Sequence, residues 1–574
     1  MKALSDGQFE KGDITDSLQN AINQMKTSTE FIKQPNLKLI LGIDEAKGLL
    51  DRGATADSSF FRFFRHVIKN LPESSQIFSI LTDTTSRLAN FNPPAHLELS
   101  HRPGMGKRMK LFPPIYQIPS FDVNLAAPPA TWLELESPDR LLCYGSPFWA
   151  GYVKNAKKRN QTVDGIVSTL SHFALQKLLF VDDLSHPASS LTDRQAMALL
   201  GSTIQPNLYA AVALNSDLVS SHAAQCMYIN LSHDMLISEY PSQFTYSSVA
   251  NQYLASDEDK LIRCIQILAF SHLQGHIATG DIGEIVSRII LMRAMQETMK
   301  TTQQNQDSET AAKNITMPFG HSVRLADFLV TLTGLSEENL NLGSITPSKK
   351  KQLLSEGRVF WNHFISIQYT PNSADLLRQL YRGMAVQCKP NQHGFDQLFP
   401  VYLQSKQDDA PNESQITLCG IQVKNQKQTK NLATESDHWT PTCAQIKVKK
   451  ANPYLVLYFS LRDSLKPKVP EGKKRLLPKP QPIAKVPEGK ESLPPKPQPI
   501  PVNDKLSKQD SKNRASLAFY GLTSFPFLTP KLIIALQELL DTHPNILSLH
   551  QKSSKHTTDY VKRASPEVYS PDLY

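Results

Sequence analysis

The first apolar blocks of the chain predict a small parallel α/β unit. Residues 37–43 form a continuous apolar run, and residues 76–82 form a second one. Between them, large apolar side chains recur at helical spacing from Phe60 to Leu71. A strand, a helix and a second strand in so short a stretch are typical of a parallel βαβ unit. A weaker helix is predicted ahead of this unit, at 17–33.

The pattern becomes helical in the middle of the chain. Residues 92–140 contain three Pro-Pro pairs, which predicts loops with one short strand at 115–118. From about 141 to 345 the apolar spacing is helical, and a core-facing stripe of one helix is its clearest part. The stripe consists of Ile282, Ile285, Ile289 and Met292. A loop is predicted at 300–315, where Gln and Thr replace the apolar positions.

After residue 350 the pattern predicts an α/β domain. Helices are expected at 373–381 and at 530–540. Short strands are expected between them, at 384–388, 395–403, 416–424, 454–461 and 517–522.

A proline-rich repeat interrupts this last domain, and the segment that contains it holds most of the net positive charge of the chain. The segment at 468–483 recurs at 485–500, and residues 466–501 contain eleven prolines, which predicts a disordered, extended surface insertion. Residues 466–515 hold thirteen Lys or Arg against five Asp or Glu, so they account for +8 of the net charge of +9. The insertion is therefore expected to act as a spacer, as a salt-sensitive nucleic-acid tether, or as a ligand for SH3-type grooves.

The composition excludes several classes of protein. A chain of 574 residues predicts three or four domains. Its six cysteines are far apart and form no CxxC motif, which argues against zinc ribbons, thioredoxin-like sites and disulfide scaffolds. The polar first thirty residues do not match a signal peptide, and no apolar run is long enough for a membrane helix. The expectation is an intracellular protein, cytoplasmic or nuclear, with no membrane association.

Asp44 and Glu45 follow the first predicted strand, which is the Walker B pattern of P-loop ATPases. Thr82, at the end of the second strand, occupies the position of a polar sensor. No G-x-x-x-x-G-K-[ST] loop precedes Asp44, and the nearest match, at 104–108, has the wrong spacing. ATP binding is therefore not expected, and the unit is either a sheet remnant that only packs or the product of a truncated N-terminus.

A second set of polar residues lies on neighbouring strands of the C-terminal domain. Asp396 precedes one predicted strand, and Gln422 and Lys424 end the next. Residues i and i+2 of a strand share a face, so this spacing places an acid, an amide and a lysine together. In metal-dependent nucleases such residues bind Mg²⁺ and position the attacking water. Asp396 and Gln422 are the predicted metal ligands, although Gln brings no charge.

The same residues also have a simpler interpretation, in which Asp396 is a turn residue and Lys424 a solvated end of a strand. Nuclease sites often take a further acid from the preceding helix. Asp375 and Glu356 are the two candidates for that position, and the sequence does not choose between them.

The order of these segments resembles a multicopy family of fungal proteins, abundant in basidiomycetes. Its members join a STAND-like P-loop ATPase core to a helical region and a restriction-endonuclease-like domain, an architecture similar to that of crinkler-type proteins. The resemblance runs from about 36 to 545 without the proline repeat. It is carried by ILGIDEA at 40–46, FSILTDTTS at 78–86, LCYGSPFW at 142–149, GDIGE at 280–284, RGMA at 382–385, QHGFD at 392–396, IQVKN at 421–425 and FYGL at 519–522.

The resemblance implies a metal-dependent nuclease of the PD-(D/E)xK type with catalytic residues Asp396, Gln422 and Lys424, and an ATPase-derived regulatory part at Asp44 and Glu45. DNA is the implied partner and Mg²⁺ the implied cofactor. The alternative is a non-catalytic interaction protein whose partner binds the proline-rich segment. The oligomeric state is left open.

The predicted fold class is α/β plus α-helical. Its predicted parts are listed in chain order: a loose helical segment at 1–35, a degenerate P-loop-like parallel sheet at 36–140, a helical domain at 141–345, a restriction-endonuclease-like domain at 350–545 interrupted by the insertion at 466–512, and a tail at 546–574.

Overall fold

The chain folds into two compact units, which are described separately. The computed structural model describes residues 11–33, 39–44, 46, 49, 60–61, 64, 67–68, 71, 77–82, 121–125, 127–184, 191–209, 211–229, 236–307, 316–405, 410–426, 432–462, 496–502 and 506–544. The first unit comprises residues 1–116 and 228–236, and the second comprises residues 117–227 and 237–574.

The first unit contains the predicted parallel strand pair. Strand β1, Leu39–Ile43, pairs in parallel with β2, Ile77–Leu81, which confirms the predicted direction of the pairing. Helix α1, Lys11–Ser28, begins and ends several residues before the predicted helix. Residues 60–61, 64 and 67–68 are helical, as predicted. The strand predicted at 115–118 lies outside the described residues.

Helices make up much of the second unit. A separate two-stranded sheet consists of β3 (Gln225–Ile229) and β4 (Leu236–Glu239). The helices are α2 (Trp132–Glu136), α3 (Pro138–Leu141), α4 (Pro147–Lys158), α5 (Val163–Leu179), α6 (Asp193–Thr203), α7 (Val212–Ser221), α8 (Phe244–Ser256), α9 (Glu258–Leu273), α10 (Ile282–Asp307), α11 (Leu325–Thr333), α12 (Pro347–Glu356), α13 (Ser373–Tyr381), α14 (Leu432–Ser436), α15 (Lys508–Asn513) and α16 (Pro530–Asp541).

Helix α10 continues through 301–307, where the sequence predicted a loop. Gln and Thr cost a helix only a few tenths of a kcal/mol each relative to Ala, so they do not end one by themselves. The Thr298, Thr301 and Thr302 hydroxyls each donate to the carbonyl four residues earlier, at 2.8 to 2.9 Å. These bonds satisfy the hydroxyls within the helix and allow it to continue.

A mixed eight-stranded sheet lies in the same unit. Strands β8, β9 and β10 are antiparallel neighbours, whereas β10, β11 and β12 run parallel. The strands are β5 (Val323–Arg324), β6 (Gly357–Val359), β7 (His363–Ser366), β8 (Met384–Gln387), β9 (Gln397–Leu403), β10 (Ile416–Lys424), β11 (Tyr454–Ser460) and β12 (Arg514–Tyr520). The five predicted strands are confirmed with small shifts at their ends, and the short β5, β6 and β7 were not predicted.

The helices predicted as a separate domain at 141–345 share one hydrophobic core with this sheet. Phe328 of α11 contacts Trp361 and Phe399, with ring centroids 6.2 and 5.7 Å away. Phe244 of α8 stacks on Phe360 at 5.8 Å. The sheet and these helices therefore bury each other's apolar faces.

Part of the predicted disordered insertion is ordered. Within 466–512, residues 496–502 and 506–512 are described. Gln498 exchanges two backbone hydrogen bonds with Ala518 of β12, and Ser507 caps α15 by accepting from the Asp510 amide at 3.0 Å. The Ser-x-x-Asp spacing is a capping signal that the surrounding prolines concealed. Residues 463–495 and the predicted tail at 546–574 lie outside the described residues.

Two glycines allow the chain around Asp396 to fold closely. Gly394 has φ +87°, which L side chains rarely adopt, and it turns the chain just before Asp396. A Cβ on Gly420 of β10 would lie 2.3 Å from the Phe395 ring. Gly420 therefore marks the place where the Phe395 ring lies directly on the sheet.

We expect Gly420→Ala to lower the free energy of unfolding by about 1–3 kcal/mol, because the added methyl overlaps the buried Phe395 ring. Gly151→Ala is the control, since a Cβ there meets nothing within 4 Å and Ala favours the helix. Urea unfolding followed by circular dichroism measures both. Equal stabilities of the two variants would contradict the expected overlap.

Candidate functional site

The three residues predicted for the nuclease-like site lie together at the end of β10. Ile421 pairs with Gln397, so Asp396 lies beside Gln422. The Asp396 Oδ2 atom accepts hydrogen bonds from Gln422 Nε2 and from the Val423 amide, both at 2.7 Å. Lys424 shares the strand face of Gln422.

Asp396 is a buried carboxylate with partial electrostatic support. Burial raises its pKa above the ordinary value, while the Val423 amide, the Lys424 charge and the Gln422 amide act in the opposite direction. The positive charge of Lys424 therefore favours the ionised form of Asp396. An acid that is costly to ionise next to a lysine is a common feature of functional sites.

Glu284 brings a second carboxylate to the same place, and the sequence did not predict it for this role. It lies in the first turn of α10. The preceding residue, Gly283, allows the helix to approach β10, since a Cβ on it would lie 2.8 Å from the Asn425 Cβ. Gln387 of β8 joins the two acids: its Nε2 donates to Glu284 Oε2 at 2.5 Å and to the Asp396 carbonyl at 3.0 Å.

The pKa of Glu284 is raised to about 7. Burial is the main cause, and the negative charges of Asp396 and Asp281 add to it. The Arg288 charge and the Gln387 hydrogen bond act in the opposite direction. Glu284 therefore titrates close to neutral pH, as acids and bases in catalytic sites often do.

The start of α10 is fixed to the sheet beneath it. Gln397 donates from Nε2 to the Glu284 carbonyl at 2.7 Å and accepts from the Ser287 hydroxyl at 2.8 Å. Arg288, which is almost fully buried, donates from Nε to the same carbonyl at 3.3 Å. The two Gln397 bonds attach the first turn of α10 to β9. They fix the Glu284 backbone without using the Glu284 carboxylate.

The two acids that the sequence offered for this position serve their own helices. Asp375 completes a capping box with Asn372 at the start of α13 and pairs with Arg378 at 2.9 Å. Glu356 ends α12 and accepts from Gln352 at 3.1 Å. Glu284 is far from the predicted strands in sequence. The segment GDIGE at 280–284 is one of those that carry the family resemblance, and that resemblance assigned no chemical role to Glu284.

The donor set fits a divalent cation held mostly by carboxylates. Mg²⁺ in proteins typically takes one or two carboxylates and completes its coordination with water and phosphate oxygens. Asp396 and Glu284 supply the two carboxylates, and a cation would offset the repulsion that raises the pKa of Glu284. In the described part of the chain no group of three His, Cys, Asp or Glu side chains has metal-binding geometry.

Gln422, predicted as a metal ligand, directs its Nε2 at Asp396. Its carbonyl Oε1 is therefore the only atom that this side chain can offer a cation. The observed bond makes Gln422 a residue that orients the Asp396 carboxylate.

The polar residues of the first unit form a smaller arrangement. The Thr82 hydroxyl donates to Asp44 Oδ1 at 2.8 Å, and the Thr82 amide donates to the Ile43 carbonyl at 2.8 Å. The predicted juxtaposition of Asp44 and Thr82 at the ends of parallel strands is thus observed. Glu45 and the Gly-Lys segment at 104–108 lie outside the described residues.

No helix in the described ranges combines the length and the apolar character needed to cross a bilayer.

Comparisons with protein families place the site within one matched region. A family described as a domain of unknown function (DUF8736) matches residues 186–456, which include Glu284, Asp396, Gln422 and Lys424. A second domain of unknown function (DUF8735) matches residues 11–118, which include Asp44 and Thr82. No significant match to a curated protein or to a solved structure was found.

We expect Glu284→Gln to stabilise the protein by about 2 kcal/mol at pH 8 and by much less at pH 5. The unfolded chain loses the Glu284 proton above its ordinary pKa of 4.5, whereas the folded chain keeps it up to about pH 7, so stability falls as pH rises through this interval. Glutamine does not titrate. Urea unfolding at several pH values measures the difference between the variant and the parent protein.

Glu297→Gln is the matched control, because Glu297 lies on the same helix in an ion pair with Arg293. It should gain no stability between pH 5 and pH 8. A constant difference between Glu284→Gln and the parent protein at both pH values would contradict the raised pKa.

Proposed function

We propose that the second unit is a metal-dependent nuclease of the restriction-endonuclease-like type that cleaves DNA. One observation carries the proposal: two carboxylates, Asp396 and Glu284, lie close enough to influence each other at the end of β10, where the Lys424 charge acts on Asp396. The arrangement of an acid before one strand and a lysine at the end of the next is the one that the resemblance implies. The order of α13, β8, β9, β10 and the parallel β11 is compatible with it.

Each residue has a separate role in this proposal. Asp396 and Glu284 would hold Mg²⁺, which polarises the phosphodiester and lowers the pKa of a bound water. Gln422 and the Val423 amide keep the Asp396 carboxylate oriented. Lys424 is placed to orient the attacking water and to stabilise negative charge on the phosphate. Arg288 balances the acids from the buried side of α10.

The proton held by Glu284 also has a role. Below neutral pH the protonated carboxyl is a poor ligand for a cation, whereas above it the ionised form and a cation stabilise one another. Metal binding and cleavage are therefore expected to increase as pH rises through about 7.

For the first unit we propose a remnant of a P-loop ATPase sheet with a regulatory role, related to the STAND-like and crinkler-type architecture. The parallel pairing of β1 with β2 and the bond between Asp44 and Thr82 support this. Without a phosphate loop in the sequence, we expect Asp44 and Thr82 to shape the end of the sheet and not to bind ATP.

A non-catalytic interaction protein is the second candidate. Two donors already satisfy Asp396 Oδ2, and Gln422 stands where nuclease signatures carry a second acid. In this alternative, the unit has a nuclease fold whose site lacks the negative charge of a second acid, and the proline-rich segment binds a protein partner.

Cleavage of supercoiled plasmid with Mg²⁺ or Mn²⁺ tests the first candidate. We expect Lys424→Ala to reduce the rate by roughly 100-fold or more, because a charge-stabilising group is lost. Asp375→Asn is the control, since Asp375 serves the cap of α13, and it should cleave at nearly the parent rate. Absence of cleavage with either metal, or equal rates in the parent and Lys424→Ala, would reject the catalytic role.

Gln422→Glu distinguishes the two candidates. In a working site the added carboxylate should tighten Mn²⁺ binding, measured by calorimetry at pH 8, and lower the metal concentration needed for cleavage. Activity that appears only in Gln422→Glu would show that the native site has lost its function through this residue.

A further inference from the structure

A row of exposed aromatic rings lies on helices α4 and α5, apart from the residues of the candidate site. Phe148 is 54% exposed and Phe173 is 43% exposed. Tyr152 lies between them, with its ring centroid 6.3 Å from each. Together these three rings are called the aromatic row. Exposed clusters of large aromatic side chains commonly mark binding surfaces.

The core beneath the row fixes its position. The Phe148 ring packs edge-on against the buried Trp149 at 5.0 Å, and Trp149 in turn packs edge-on against Tyr246 of α8 at 5.4 Å. Phe148 and Tyr152 are four residues apart and so lie on one helix face. Phe148 is thus held through the core, and a ligand that stacked on the row would have little side-chain entropy to remove.

The helices that carry the row are basic. Residues 147–179 contain five Lys or Arg and a single Asp. Outside 466–515 the chain is otherwise close to neutral, so this is a local concentration of positive charge. Arg159 and Lys177 are exposed on the helix faces that carry the rings, because Arg159 lies seven residues after Tyr152 and Lys177 lies four residues after Phe173. Lys157 forms an ion pair with Asp139.

Stacking rings beside exposed cations form the combination by which proteins bind single-stranded nucleic acid. The rings accept the faces of unpaired bases, and the cations attract the phosphates. A duplex keeps its bases stacked on each other and offers such rings nothing to stack on. An acidic peptide would satisfy the cations but would leave the rings uncovered.

We propose that α4 and α5 form a binding platform for single-stranded nucleic acid, in which bases stack on the aromatic row and phosphates contact Arg159 and Lys177. The platform goes beyond the proposed nuclease, because binding there needs neither metal nor cleavage. In a protein that does cut nucleic acid, it would favour substrates with unpaired strands.

The test is fluorescence anisotropy with the full-length protein in EDTA, which prevents metal-dependent cleavage. The probes are a labelled dT₂₀, an abasic oligonucleotide of the same length and phosphate charge, and a 20-bp duplex. The basic segment at 466–515 attracts all three probes through their charge, so the platform is measured by the preference for dT₂₀ over the abasic strand. We expect that preference to be about tenfold or more.

Two variants remove the two halves of the platform. Phe148→Ala with Phe173→Ala should bind dT₂₀ and the abasic strand equally. Arg159 and Lys177 changed to Gln should weaken the binding of both strands and reduce the salt dependence, by a slope of up to about 1.4 for two lost phosphate contacts. Phe270→Ala is the control, because Phe270 is 52% exposed on α9 and is not part of the row.

The outcomes separate the proposals. No preference for dT₂₀ over the abasic strand in the parent protein, or an unchanged preference in the double Phe variant, would overturn the platform. So would an equal loss in Phe270→Ala. Asp375→Asn, which changes neither the candidate site nor the platform, should bind all three probes as the parent protein does. A parent protein that binds these probes but does not cleave plasmid would leave the platform intact and reject only the nuclease.

Discussion

The close packing of the first turn of α10 against the end of β10 is the contact on which the candidate site depends. Gly283 permits it, because any side chain there would overlap Asn425. The approach brings Glu284 close to Asp396, and Gln397 of β9 holds the first turn of the helix by bonding to the Glu284 carbonyl and the Ser287 hydroxyl. A longer distance between helix and strand would leave two unrelated carboxylates in separate environments.

This contact has an electrostatic cost that the rest of the site only partly offsets. Burial of Glu284, together with the nearby negative charge of Asp396, raises its pKa to about 7. The Arg288 charge opposes this rise without removing it, and the Lys424 charge acts in the same direction on Asp396. Acids whose ionised form is destabilised in this way are typical of sites that bind a cation or transfer a proton, because unfavourable electrostatics do not stabilise the fold. The geometry therefore indicates function more clearly than any single residue of the site does.

Two surfaces of the second unit contribute different physical properties. The end of β10 holds an acid and a lysine beside Glu284 of α10, whereas α4 and α5 present exposed aromatic rings and cations. The former arrangement suits chemistry on a phosphate group, and the latter suits sequence-tolerant binding of a strand. That both kinds of surface belong to one compact unit is compatible with a protein that acts on nucleic acid.

Local pattern was sufficient for most of the secondary structure. The apolar runs at 416–424 and 454–461 predict strands, because the spacing of apolar residues and the length of a run can be judged from neighbouring residues alone. Helix α10 was predicted too short because its last turns are polar, although Gln and Thr do not end a helix by themselves. The short strands β5, β6 and β7 carry too few residues to show a period, and they exist because longer strands pair with them.

The sequence by itself determined that Asp396, Gln422 and Lys424 would lie together, since strand periodicity and the next strand in the chain bring them to one edge. It also determined that the positive charge is concentrated in 466–515. Only the tertiary structure decided which acid joins them. Glu284 is more than one hundred residues from Asp396 in sequence, and nothing local distinguishes it from Asp375 or Glu356. Its role follows from the packing of a helix on a sheet, an interaction between distant residues that no local pattern contains.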